Sequence, residues 1–263
     1  MFAVLKYDIA RGWRSLVIWC VSLVAVLTLY SSFYPSMGIG DGLNELMKQL
    51  PQQVVDALGF SDISSGAGWV NSTFFSLLGL FILSGASIVW GSTAVAGAEE
   101  SGFLELTLSR RVSRTAYYVA RIIGMLLRFI VVGAIVFIGL CALNGPAELS
   151  LEVNNMLAQI ASFLALGMLF GSISLAVGAL TGVRQWSIGA GTAVVVLAYA
   201  FNMIGRTSDS FHWLQDCSPI YWAYHDTPLM QGWQLPGLAI TLTVALLLAV
   251  IGLLGFNRRD LGA

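Results

Sequence analysis

Six stretches of this chain carry no charged side chain: residues 15–40, 63–98, 129–147, 153–183, 185–205 and 227–257. Each reaches or approaches the roughly 20 apolar residues that a helix needs to cross about 30 Å of hydrocarbon. Inside a bilayer the backbone must satisfy its own hydrogen bonds, so such runs become helices. A membrane β-barrel calls for short alternating segments, and these runs do not alternate. Six spans are therefore expected, near 16–34, 70–94, 119–143, 155–180, 186–204 and 235–255. The fold class is an all-α membrane protein of one transmembrane domain over 1–263. The remaining composition agrees: 57% of residues are hydrophobic and 10% charged, against about 25% charged in soluble domains. That balance excludes an ordinary soluble enzyme, a nucleic-acid binder and a disordered regulator.

Basic residues set the expected orientation. Six spans put both termini on one side, with Lys6, Arg11, Arg14, Arg110, Arg111, Arg114, Arg121, Arg184, Arg258 and Arg259. Lys48 and Arg206 fall on the other side, and Arg128 lies within the third span. The termini are thus expected in the cytoplasm. No A-x-A site ends the first apolar run and five more spans follow, so that run is read as retained and not as a cleaved signal.

The segments between spans are uneven in content. Phe2, Leu5, Ile9 and Trp13 share one helical face, and Asp8, Arg11 and Arg14 lie away from it. This suggests an interfacial helix over 1–15, or simply the start of the first span. Leu43, Leu46, Met47 and Leu50 keep helical spacing in an outer segment over 41–58, which Pro51 interrupts. Residues 206–233 form an aromatic-rich outer loop, expected to hold short re-entrant or interfacial helices. His212, Cys217 and His225 lie there with Asp216 and Asp226. Copper or zinc can use such donors, but the spacing matches no closed site, and the loop is read as interfacial with no metal. Three scattered cysteines, Cys20, Cys141 and Cys217, make no disulfide framework.

No catalytic motif is present. The phosphate-cradling pattern needs a Gly-Lys pair, and the two lysines here follow Leu5 and Met47. Arg128 lies one heptad after Arg121 on the same helical face; it either snorkels toward the inner interface or meets an acid or a polar cavity. Gly167, Gly171, Ser174 and Gly178 line one side of the fourth span, a face that lets helices approach closely.

The stretch over 97–121, GAEESGFLELTLSRRVSRTAYYVAR, combines acids, a Ser-Gly break, a small apolar ridge of Phe103, Leu104 and Leu108, and arginines. It resembles the segment after the second span in membrane subunits of ATP-binding-cassette exporters of the second permease class (ABC-2 type). LPQQVVDALGF (50–60), SPIYWAYHDTPLMQG (218–232) and the tail NRRDLGA (257–263) are similar to other stretches of those permeases. Arg111 departs from the pattern, standing where the family often has proline. The resemblance implies that a coupling segment over 97–118 packs on an ATPase subunit through Glu99, Glu100, Phe103, Leu104, Glu105, Leu108, Arg110 and Arg114. It also implies two ATPase partners, which carry the ATP and Mg, and a second permease subunit, identical or homologous. Phe75, Ser84, Ser87, Tyr199 and Asn202 are implied as residues of the translocation path. This chain itself is expected to bind no cofactor. The location implied is the plasma membrane of a bacterium or archaeon. A mostly apolar path with scattered hydroxyls suits a drug, lipid or peptide better than a bare ion. An ion-coupled carrier, a membrane enzyme or maturation factor, and an envelope-remodelling subunit without net transport remain open beside it. No acid falls inside an expected span, which counts against the carrier.

Overall fold

The computed structural model describes residues 2–37, 65–109, 112–207 and 211–259. Among these residues every regular element is helical. Six helices are long and apolar enough to cross a membrane, over Val4–Pro35, Gly66–Ala94, Arg114–Asn144, Val153–Thr181, Arg184–Thr207 and Leu235–Arg258. They fall on the six spans expected from the uncharged runs. The outer segment over 41–58, Arg110, Arg111 and the last residues of the basic tail lie outside the described residues.

The first helix, α1, runs Phe2–Met37 without interruption. Residues 2–15 are its first turns. The second span is composite. α2 (Gly66–Val70) starts on a Ser65 cap whose Oγ accepts from the Gly68 amide at 3.0 Å. It passes through a π-helical stretch, Asn71–Leu78, into α3 (Gly79–Ala94). Two short helices follow, α4 (Ala96–Glu100) and α5 (Phe103–Leu108). α6 (Arg114–Asn144) begins at Ser113, whose Oγ accepts from the Ala116 amide at 3.2 Å. Such a cap satisfies one of the amides a helix start leaves unpaired.

α7 (Val153–Thr181) is the centre of the bundle. It packs on α3, on α6, on α8 (Arg184–Thr207) and on α12 (Leu235–Arg258). Its small residues make this possible. A Cβ at Gly91 of α3 would collide with the Gly171 carbonyl oxygen of α7, so the two backbones meet only because Gly91 has none. The small face of the fourth span is therefore spent on packing inside the chain. The peripheral helices show the opposite pattern. Ile18, Val21, Ile130, Ile138, Leu246 and Leu254 are exposed, an outer apolar surface suited to lipid.

Between α8 and α12 stand α9 (His212–Asp216), α10 (Pro219–Tyr224) and α11 (Pro228–Gln231). They dock on the spans through polar contacts. Ser218 Oγ donates to the Ala198 carbonyl at 2.7 Å, Asn155 Nδ2 to the Met230 carbonyl at 3.2 Å, and Gln159 Oε1 accepts from the Leu229 amide at 3.1 Å. His225 Nδ1 lies 2.8 Å from Asp226 Oδ1. Among the described residues no three His, Cys, Asp or Glu side chains converge as metal ligands would.

Candidate functional site

The segment after the second span folds as an elbow. α3 ends at Val95, α4 adds little more than a turn, and Gly102 reverses the chain with φ 68° before α5. That left-handed conformation is open to glycine at no steric cost.

One side of the elbow is fastened to the chain's own spans. Glu99 pairs with Arg259 just beyond α12. Glu100 Oε1 accepts the Arg184 amide of α8 at 2.8 Å, a carboxylate at a helix N-terminus, where the dipole favours it. Phe103 stacks on Tyr7 of α1, with ring centroids 4.5 Å apart and planes 12° apart. The Arg121 guanidinium of α6 lies 5.8 Å from the same Phe103 ring. Leu104 is fully buried and Leu108 packs against the core. Arg114 serves the base of the bundle: its Nη1 donates to the carbonyls of Phe256 at 3.3 Å and Arg259 at 2.5 Å, clasping α6 to the end of α12.

The expected ridge of Phe103, Leu104 and Leu108 is thus turned inward onto this chain, and Leu104 has no surface left for a partner. Turned outward are Glu105, Leu106 and Ser109, and Leu106 is 68% exposed. Helical spacing explains the difference. Residues 104 and 108 lie on one face and 105, 106 and 109 on the other, and spacing alone does not say which face meets the membrane helices.

Beside the elbow lies a charged cluster that the sequence reading missed. Asp8 is buried, and its carboxylate takes two cations. Arg121 pairs with Oδ1, and Arg128 Nη2 reaches Oδ2 at 2.7 Å and the Asp8 carbonyl at 3.2 Å. Tyr117 Oη accepts from Arg121 Nε at 3.0 Å and Nη2 at 2.8 Å, and donates to the Ala94 carbonyl at 2.9 Å. Trp90 lies 5.8 Å from the Arg128 guanidinium and donates from Nε1 to Ser15 Oγ at 3.4 Å. Arg128 therefore meets an acid on another helix.

Asp8 faces the bundle, while Ile9 and Trp13, on the apolar face of α1, are about half exposed. The apolar face of this helix is thus the outer one, as lipid surroundings favour. Asp8 lies on the same continuous helix as the first span, ahead of the uncharged stretch over 15–40. The signal was present: two arginines on one face of a span require a carboxylate, and Asp8 is the acid at the start of the first.

The five expected path residues are not gathered on one open surface. Phe75 is buried against Phe74 and Phe163. Ser84 and Ser87 are buried, and their hydroxyls donate to the Leu80 and Leu83 carbonyls of their own helix at 2.7 Å. Tyr199 lies 5.1 Å from Phe81 between ring centroids, at the junction of α8 and α3. Asn202 is buried on α8, and its Oδ1 has no hydrogen-bond partner among the described residues.

A family model described as "Multidrug efflux system permease Rv1217c, C-terminal domain" matches residues 9–257, nearly the whole chain. No curated protein matches.

Proposed function

The chain belongs to the family of the multidrug efflux system permease Rv1217c, C-terminal domain, and on that premise we propose that it is the membrane subunit of an ATP-driven exporter of the ABC-2 type. Membership makes it a transport permease. The proposal adds the energy source, the assembly and the direction. Two ATPase subunits bind beneath it at the end of the bundle that carries both termini, and a second permease, identical or homologous, completes the path. The cargo is hydrophobic or amphipathic. The ten-to-two distribution of basic residues supports a cytoplasmic position for that end.

One observation carries this reading. The elbow α4–α5 shows an outward tip, Glu105 and Leu106, while its other side is tied to α1, α6, α8 and α12 through Phe103–Tyr7, Phe103–Arg121, Glu100–Arg184 and Glu99–Arg259. A short helix offering an apolar residue with a charged neighbour suits docking in a groove of a partner. Force applied at the tip reaches four spans by direct contact, which is what an ATPase needs in order to move the bundle.

Affinity purification of the tagged chain from its native host in mild detergent tests this. A P-loop ATPase is expected to co-purify, and Leu106→Asp with Glu105→Lys is expected to release it while the permease stays folded. Recovery of the chain alone, or an ATPase indifferent to both substitutions, contradicts the proposal.

A further inference from the structure

A cavity of about 300 Å³ opens between α1, α3, the elbow and α6. Its lining includes four arginines, Arg11, Arg121, Arg128 and Arg184, and a single carboxylate, Asp8. Glu100 is not part of this lining; it is exposed and accepts the Arg184 backbone amide. Asp8 is already shared by Arg121 and Arg128, so the buried part of the cluster holds two cations for one anion. Buried charge is costly unless paired. Arg184 keeps a buried Nε–H with no acceptor among the described residues. Arg11, at the rim, is exposed. The imbalance and the unused donor both call for an anion.

We propose that this cavity binds a phosphate group, presented on the head of an anionic lipid. Guanidinium groups of Arg11, Arg128 and Arg184 on one cavity suit the many acceptor oxygens of a phosphate, while Arg121 is held by Tyr117 and Asp8. The volume is at the small end of ligand sites, enough for a head group and not for a whole amphiphile. Its surroundings favour a lipid as the source. Tyr7 lines the cavity and is also partly exposed on α1, beside the exposed Ile9 and Trp13. Tryptophan and tyrosine in such positions mark head-group depth. A lipid standing there keeps its tails against the apolar outer face of α1 while its phosphate enters. The site stands whether or not an ATPase docks on the elbow, and is tested without one.

The intact chain, purified with any subunits that accompany it, is incubated with short-chain phosphatidylglycerol, phosphatidylcholine or inorganic phosphate. Binding is followed by native mass spectrometry and by thermal unfolding. Phosphatidylglycerol is expected to bind and to raise the melting temperature, and phosphatidylcholine to do so far less. Arg128→Gln is expected to weaken phosphatidylglycerol binding about tenfold or more, the loss of one charge-assisted contact. Arg11→Gln, on an exposed side chain whose contact lies within α1, to the Tyr7 hydroxyl at 2.7 Å, is expected to weaken it in the same direction. Asp8→Asn removes the competing carboxylate and is expected to tighten binding, with the lipid restoring its thermal stability. Protection by inorganic phosphate equal to that by phosphatidylglycerol overturns the lipid as source. Equal binding of both lipids, or phosphatidylglycerol binding unchanged in Arg128→Gln and Arg11→Gln, overturns the site.

Discussion

Two guanidinium groups share the Asp8 carboxylate, and that ratio decides what substitutions there do. Removing the carboxylate leaves two buried cations facing each other. Asp8→Asn is expected to destabilise by about 3–5 kcal/mol, the cost of an orphaned buried charge. Arg128→Gln leaves one cation for one anion and is expected to cost clearly less. Thermal unfolding of both variants in one detergent, without added anion, checks the order; equal losses would show that charge balance is not what the cluster obeys. The arginines were legible in the sequence because their spacing put both on one face of a span. The acid was not, because Asp8 lies far from both arginines in sequence and, with Arg11 and Arg14, reads equally well as the polar side of an interfacial helix.

Among elements, the elbow depends on one turn and one anchor. A side chain at Gly102 meets no atom, so Gly102→Ala is penalised by the left-handed backbone alone, a loss of about 1–2 kcal/mol. Leu104→Ala empties a fully buried position and is expected to cost about 2–5 kcal/mol. Proteolysis at the elbow should then quicken in both variants, more in Leu104→Ala. If Leu104→Ala is as resistant as the parent protein, α5 is not anchored by that residue. On α3, Gly91→Val drives a side chain into the Gly171 backbone, and overpacking of this kind costs about 1–3 kcal/mol. A lowered melting temperature checks it. The elbow itself was visible in the sequence as acids, a Ser-Gly break, an apolar ridge and arginines. Which face of α5 points outward was not, because the ridge is equally suited to a partner protein and to the chain's own spans. Only the positions of Tyr7, Arg121 and the α12 end, far away in sequence, decide it.

At the scale of the whole molecule, the six spans could be read directly, because hydrocarbon thickness translates uncharged length into a helix count with no help from tertiary contacts. The central place of α7 was hinted at by its small residues but not fixed. A small-residue face serves a neighbour in the same chain as well as one in another subunit, and the Gly91–Gly171 approach shows that it is taken up internally. The translocation path was the least legible. The resemblance puts Ser84 and Ser87 on the path, and within this chain each buried hydroxyl donates to the carbonyl four residues back. The most direct test of an ATP-driven export permease is transport in proteoliposomes holding the chain with its co-purified partners and an amphipathic fluorescent substrate. The expected result is movement that requires ATP at the face carrying the termini, persists when ion gradients are collapsed, and is lost with Leu106→Asp. Movement that follows an imposed ion gradient and ignores ATP would contradict it.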